Sequence, residues 1–214
     1  MTLWLLVLSF CIGWAASIPL AIMRASSNKY LSWPVQIYTF VFRGTPLYVQ
    51  LLIVYTGFFS LGFVRDSPAL TAFFRDGFNC VIVAFSVCVC AYLTEVLAGS
   101  IRAIPAGEVE AARAFGLSRY TLYTQVILPS ALKRALPYYS NEIILTLHST
   151  SLAFTATVAE LMKVARDVNS ATYAPFVAFG IAGVCYAIIA ALLVGGFRLV
   201  EKRSLVFLRP YSAH

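Results

Sequence analysis

The chain has 214 residues, 60% of them hydrophobic and only 12% charged, with a mean hydropathy of +0.82. A soluble domain of this size carries about 25% charged residues, so much of this surface faces something other than water. The formal charge of +7 does not gather into the single stripe a nucleic-acid interface would need; it falls in short gaps between apolar runs, as in a membrane protein.

The first predicted element, residues 2–23, is apolar and long enough to cross a ~30 Å hydrocarbon core, which takes about 20 helical residues. Its positive charges, Arg24 and Lys29, follow the apolar run, whereas a signal peptide carries them in front. That order predicts an uncleaved span entering from outside. The chain begins abruptly within this helix, and a segment upstream of Met1 is expected.

Residues 24–45 read as an inner connection. Thr45 and Pro46 offer an N-cap and a first-turn proline for a second span, 46–64, leaving Arg43 to snorkel at the headgroup level. A third span is predicted over 78–99, with Glu95 near its inner end. Cys11, Cys80, Cys88, Cys90 and Cys185 all lie in or beside apolar runs. Cys88 and Cys90 are too close for metal-site spacing, so the thiols read as small packing residues, and no metal site is expected.

The connection 100–135 is polar. Within it, EVEAARAFGLSRYTLYTQVILP (108–129) carries good helix signals. Pro105 precedes a run of helix formers with acids early and Arg113 late, as the helix dipole favours. Gly116 can end that helix in the left-handed conformation; Ser118 can cap a second helix over 119–128, and Pro129 closes it. Two short helices joined at a glycine are expected.

The fourth span, 136–158, contains Asn141, Glu142, His148 and several hydroxyls. A carboxylate inside a membrane helix costs at least ~2.5–3.5 kcal/mol unless it faces protein or water. At 100° per residue Tyr138, Glu142, Thr146 and Ser149 fall within about 80° of one another, and small Ala153 extends the face. This strip is predicted to face a cavity or a sister subunit, where Glu142 suits a cationic group of a substrate. The alternative is that Glu142 pairs with an arginine or a backbone group for assembly alone. His148 falls on another side of the wheel and reads as a packing or hydrogen-bonding residue. Glu160 and Asp167 fall in an outer loop, open to a cationic ligand, a binding protein or solvent. A fifth span follows at 173–197.

With the N-terminus outside, residues 24–45, 100–135 and 198–214 become cytoplasmic. They hold twelve Lys and Arg, Arg43 and Arg209 among them, against Arg65, Arg75, Lys163 and Arg166 outside, as the positive-inside rule requires.

Glu110-Ala111-Ala112, Gly116 four residues on, and Leu128-Pro129 resemble the EAA motif of permease subunits in bacterial ABC importers, with Val126 where that pattern has isoleucine. Residues 42–51, FRGTPLYVQL, resemble the FRGTP-x-x-x-Q-L signature of the polar amino-acid permease subfamily. Residues 148–157 and 165–173 are similar to the membrane subunits of histidine and lysine/arginine/ornithine importers, to which opine permeases are near relatives.

The resemblance covers nearly the whole chain. It implies an all-α integral membrane protein of the type I ABC importer permease fold: one transmembrane domain over 1–214, about five spans and a cytoplasmic two-helix coupling loop at 105–129. Glu110, Ala111, Ala112, Gly116, Leu128 and Pro129 would serve ATPase coupling. Glu142, Tyr138, Thr146 and Ser149 would line the substrate pathway, with Gln50, His148, Glu160 and Asp167 behind them as further candidates. It implies a non-catalytic, multi-pass subunit of the bacterial inner (cytoplasmic) membrane, N-terminus periplasmic and C-terminus cytoplasmic. The cargo would be basic amino acids (histidine, lysine, arginine, ornithine), or else other polar amino acids or opines. The implied partners are a sister permease subunit in a heterodimer, an ATPase dimer that binds ATP and Mg, and a periplasmic substrate-binding protein.

No GxxxxGK[ST] phosphate loop occurs in the chain, so nucleotide must bind another one. A self-contained channel or secondary transporter would predict internal repeats, which are not seen. An intramembrane enzyme would need convergent acids, a Ser/His pair or a metal cluster, and the scattered acids and lone membrane histidine do not supply one.

Overall fold

The computed structural model describes residues 1–204, and every regular element in them is helical. Arg209, counted above among the inner charges, lies outside the described residues. In chain order the α-helices are α1 (Thr2–Ala25), α2 (Lys29–Gly44), α3 (Leu47–Leu52), α4 (Gly62–Arg65), α5 (Pro68–Arg75), α6 (Gly77–Arg102), α7 (Ala106–Ala114), α8 (Arg119–Thr121), α9 (Leu128–Ser149), α10 (Leu161–Thr172) and α11 (Pro175–Ser204). Three of them, α1, α6 and α11, are long and apolar enough to cross a membrane unaided. Taking each of two bent pairs as one span gives up to five crossings: α2 with residues 47–60, bent by 101°, and residues 119–156 with α10, bent by 54°.

The second crossing corrects the sequence reading. Residues 46–64 do not form a separate span: α3 has six residues, followed by a π turn at Ile53–Gly57 and a 3-10 turn at Phe58–Ser60. Fourteen helical residues reach only about 21 Å, short of the hydrocarbon core. The crossing starts instead at Lys29, where the Asn28 side chain accepts from the Tyr30 amide at 3.0 Å. The supposed connection 24–45 is therefore mostly helix α2, packed on α1 and α6. A proline biases its predecessor toward extended backbone, and Thr45 sits at φ −109°, ψ 144°. That residue breaks the crossing between α2 and α3.

Helix α6 is the central column. Cys80, Val81, Phe85, Leu93 and Leu97 on it are buried, and α1, α2 and α9 pack around it. Close approach depends on two glycines. A Cβ on Gly13 of α1 would lie 2.8 Å from Val89 Cγ1 and 3.0 Å from the Cys90 amide; one on Gly77 would overlap the Ala156 carbonyl oxygen. Cys80, Cys88 and Cys90 are buried free thiols in this column, as the packing reading expects. Helix α11 touches mainly α9 and α10 and exposes Phe176, Val177, Ile181, Val184, Ile188 and Leu192, a surface suited to lipid or a second membrane protein.

Gly13→Val is expected to push α1 off α6 at an overpacking cost of ~1–3 kcal/mol, lowering the thermal midpoint of the solubilised protein. Gly62→Ala, where a Cβ meets nothing within 4 Å, should leave it unchanged. Equal midpoints for both variants would show that the α1–α6 crossing is not tight.

Candidate functional site

Two neighbouring features carry the candidate chemistry: a polar hairpin and a cavity beside the broken crossing. The hairpin begins with α7, which has Glu108 in its first turn and Arg113 in its last. It ends in a Schellman motif. Gly116 has φ +74°, its amide donates to the Arg113 carbonyl at 2.9 Å, and the Leu117 amide donates to Ala112 at 3.4 Å. Ser118 then caps α8 by accepting from the Thr121 amide at 3.2 Å. Both terminators read from the sequence are thus present.

Pro129 does not act as predicted. Residues 119–156 run on as one helical rod, so Leu128-Pro129 forms the root of the fourth crossing and not the end of a loop helix. The proline ring would clash with the carbonyl four residues back in an α-helix; a π turn at Leu122–Ile127 widens the rod just ahead of it.

On α7, Ala112 is buried against the helical body while Glu110 and Ala111 are exposed, as is Gly116 in the turn that follows. Two aromatic side chains that sequence patterning passed over flank the turn: Phe115 is 87% exposed and Tyr120 80%. Large apolar groups held out this far are the residues to look for at a docking surface. Glu108 ties the hairpin to α9, with its Oε1 3.1 Å from Arg134 Nη2 and its Oε2 accepting from Ser130 Oγ at 3.4 Å.

The cavity, of about 610 Å³, is lined by Arg43 to Leu47 at the break, by Phe85, Cys88, Val89 and Tyr92 of α6, and by Glu142, Leu145, Thr146, His148, Ser149, Ser151 and Leu152. Its size suits a small polar ligand. The break is held by Gln50, whose Nε2 donates to the Phe42 carbonyl at 2.8 Å and contacts the Thr45 carbonyl and hydroxyl at 3.1 and 2.9 Å. These acceptors sit at the C-terminus of α2, where no further helix supplies donors. Gln50 is therefore a staple for the break and does not line the cavity.

Arg43 is also relocated. The Tyr92 hydroxyl lies 3.4 Å from the Arg43 carbonyl, and the guanidinium carbon lies 5.3 Å from the centre of the Tyr92 ring. Tyr92 sits about 15 Å from the C-terminal end of α6 and about 22 Å from its start. Arg43 thus belongs to the middle of the bundle and not to a headgroup layer.

The predicted polar strip is brought together in part. Glu142 (9% exposed), Thr146 and Ser149 line the cavity. Among the described residues the Glu142 carboxylate makes no hydrogen bond or ion pair. Tyr138, one turn away, is 62% exposed and lines a second cavity with Glu95 and Arg134. His148 does reach the cavity despite its place on the wheel, because α9 gives way to the 3-10 turn Thr150–Ala156 and the cavity wraps around that end.

Glu160 is not a solvated loop acid. It is 1% exposed and caps α10, accepting from the Met162 and Lys163 amides at 2.7 and 2.6 Å and from the Tyr186 hydroxyl at 3.0 Å. Asp167 is exposed and pairs with Lys163 one turn away at 2.6 Å. Neither lines the cavity. Glu95 is bound to Arg24 Nε at 2.7 Å and to Thr39 Oγ1 at 2.6 Å, joining α1, α2 and α6. Among the described residues no group of three His, Cys, Asp or Glu converges as a metal site would need.

The family model for the binding-protein-dependent transport system inner membrane component matches residues 17–205. The chain is 56% identical over 213 residues to the histidine/lysine/arginine/ornithine transport system permease protein HisM of Escherichia coli (strain K12), covering 100% of this chain and 90% of that protein. It is 39% identical to the octopine transport system permease protein OccM of Rhizobium meliloti, covering 92% of this chain and 80% of that one. Among solved structures, an amino acid ABC transporter with histidines superposes at a TM-score of 0.79 and 32% identity, over 95% of this chain and 90% of that one. The inward-facing MetNI methionine ABC transporter also superposes at 0.79, over 95% of this chain and 92% of that one; at 17% identity it speaks for the fold alone.

Gln50→Leu removes the donor from the part-buried carbonyls at the break, at a cost of about 1 kcal/mol. Cys88, whose Sγ lies 3.9 Å from the Phe42 carbonyl, should then react faster with maleimide while Cys80 does not. Unchanged Cys88 labelling and an unchanged thermal midpoint would remove Gln50 from this role.

Proposed function

Because this chain belongs to the binding-protein-dependent transport system inner membrane components, as a multi-pass permease subunit of an ABC transporter, we propose that it imports cationic amino acids of the histidine, lysine, arginine and ornithine class. The observation that carries this reading is Glu142: a nearly buried carboxylate that makes no hydrogen bond or ion pair among the described residues and faces, with Arg43, a cavity of amino-acid size. Burying a carboxylate that no ion pair or hydrogen bond holds is expensive, and a cation delivered with the cargo offsets that cost. Arg43, on the same cavity and braced by the Tyr92 ring, is placed to receive the cargo's carboxylate. Thr146, Ser149 and His148 supply further hydrogen-bonding groups. The relatives named for histidine, lysine, arginine and ornithine transport, at 56% identity, support the cationic reading over the opine relatives at 39%.

The whole chain, 1–214, then acts as one transmembrane domain that forms half of a pathway, with a sister permease subunit, in a heterodimer, forming the other half. The N-terminus is periplasmic and the C-terminus cytoplasmic. Moving Arg43 from the inner side into the bundle leaves 12 − 1 = 11 inner basic residues against four outer ones, still the positive-inside pattern. A periplasmic binding protein hands over the amino acid, and a dimeric ATPase on the inner face supplies the energy, holding ATP and Mg. The hairpin is the contact with that ATPase. Glu110, Ala111 and Gly116 form its face, Ala112 anchors it, and Phe115 and Tyr120 project into the partner. Leu128 and Pro129 begin the rod that carries the movement to Glu142.

Glu142→Gln is expected to reduce uptake of arginine by the reconstituted importer about tenfold or more, a loss of ~1.4 kcal/mol or above, and uptake of a neutral amino acid much less. Wild-type rates for both would leave Glu142 a structural residue. Glu110→Lys and Gly116→Asp should abolish co-purification of the ATPase while membrane insertion persists, and Phe115→Ala should weaken it. An ATPase yield that no hairpin variant changes would disprove the docking assignment.

A further inference from the structure

A second cavity, of about 510 Å³, lies on the same pair of helices as the first, one turn nearer the hairpin. Glu95, Gly99 and Ser100 line it from α6, and Arg134 and Tyr138 from α9. The first cavity ends at Tyr92 and Glu142, three and four residues away along the same two helices. A ligand leaving Glu142 toward the hairpin therefore meets a second space walled by one carboxylate and one guanidinium.

Both groups have partners that leave room for exchange. The Arg24 and Thr39 bonds to Glu95 end on Oε1; among the described residues Oε2 has no bond. Arg134 donates to Ser130 at 3.4 Å and is paired with Glu108; their side chains are 18% and 41% exposed, so the Glu108 end of the pair is the open one. A pair open at one end is worth on the order of a fivefold change in an equilibrium, so a carboxylate arriving in the cavity can compete with it. Glu108 itself sits on the first turn of α7. Any displacement of α7 relative to α9 changes the distance on which that competition depends.

We infer that this inner cavity is an exit site for a zwitterionic, cationic amino acid, held by its cation on Glu95 and its carboxylate on Arg134, from which Glu108 of α7 evicts it by reclaiming Arg134. The inference rests on the cationic-cargo reading above and adds to it a site, a ligand pose and a releasing residue. In this scheme the hairpin both transmits the ATPase's motion and supplies the carboxylate that displaces the cargo's own. The eviction forms and breaks only ion pairs and hydrogen bonds.

Equilibrium dialysis of L-arginine against the solubilised, nucleotide-free importer complex tests it, with agmatine as the probe lacking a carboxylate. Wild type should show two phases of arginine binding, one tight and one weak. Glu142→Gln should remove the tight phase and keep the weak one. Gly99→Leu, which fills the inner cavity from a position where a Cβ meets nothing within 4 Å, should do the reverse. Glu108→Gln should strengthen the weak phase for arginine by up to about fivefold and leave agmatine unaffected; Arg134→Gln should weaken it by at least as much. A single phase in wild type, or a weak phase indifferent to Gly99→Leu, Arg134→Gln and Glu108→Gln, overturns the exit site. Loss of both phases in Glu142→Gln also overturns it, since the inner cavity would then hold nothing of its own. If the tight phase survives Glu142→Gln, it is the cargo assignment of the first cavity that fails.

Discussion

The interior of a bilayer offers no water to an unpaired peptide group, and the second crossing has to answer for that at Thr45-Pro46. Non-helical backbone at membrane depth persists only where protein or a water-filled cavity covers it. Here both do. Gln50 donates to the carbonyls at the end of α2, and the other side of the break opens on the cavity that Glu142 lines. A straight helix from Lys29 to Ser60 would satisfy its own backbone and present no such opening. The break therefore creates the space, and the staple keeps the polar backbone around it from collapsing the fold.

That constraint explains the rest of the packing. Helix α6 must reach close to the break, and its buried small residues, Cys88 and Cys90 among them, let α2 approach while Gly13 lets α1 do the same. The ion pair of Arg24 with Glu95, reinforced by Thr39, fixes α1 and α2 against one side of α6. The opposite side of the cavity belongs to α9, which packs on α6 but continues into the hairpin. One wall of the cavity is thus pinned, and the other runs on into the polar hairpin. Pro137, between Arg134 and Glu142, removes a backbone bond in that second wall.

Much of this was legible in the sequence. The three straight crossings, Gly116 as a left-handed terminator, Ser118 as a cap and Glu142 facing a cavity all follow from length, turn chemistry and the cost of a buried charge. Misreadings occurred where tertiary contacts override a local rule. Thr45-Pro46 looks like a helix start because the same pair starts helices elsewhere; only Gln50, four residues on, reveals that it joins two halves of one crossing. Pro129 looks like a stop because the π turn ahead of it has no signature of its own. Glu160 reads as a loop acid because its proton-donating neighbours are main-chain amides and a tyrosine 26 residues away. The exposure of Phe115 and Tyr120 had a signal, two aromatics in a polar loop, but no partner in the sequence to weigh it against.

The three carboxylates drawn into the helical body separate structure from function. Glu95 and Glu160 each accept at least two short bonds, and those bonds tie elements together: α1, α2 and α6 in one case, α10 and α11 in the other. Glu142 ties nothing. Its helix neighbour Thr146 bonds to its backbone carbonyl, and its carboxylate faces the cavity. A residue that cost ~2.5–3.5 kcal/mol to insert and returned no contact to the fold would be a pure liability. In the function proposed above, that return comes from the cargo, whose cation would meet Glu142 in the cavity it shares with Arg43. Such a carboxylate is what the proposed import of cationic amino acids would require: a site whose electrostatic balance is complete only while cargo is passing.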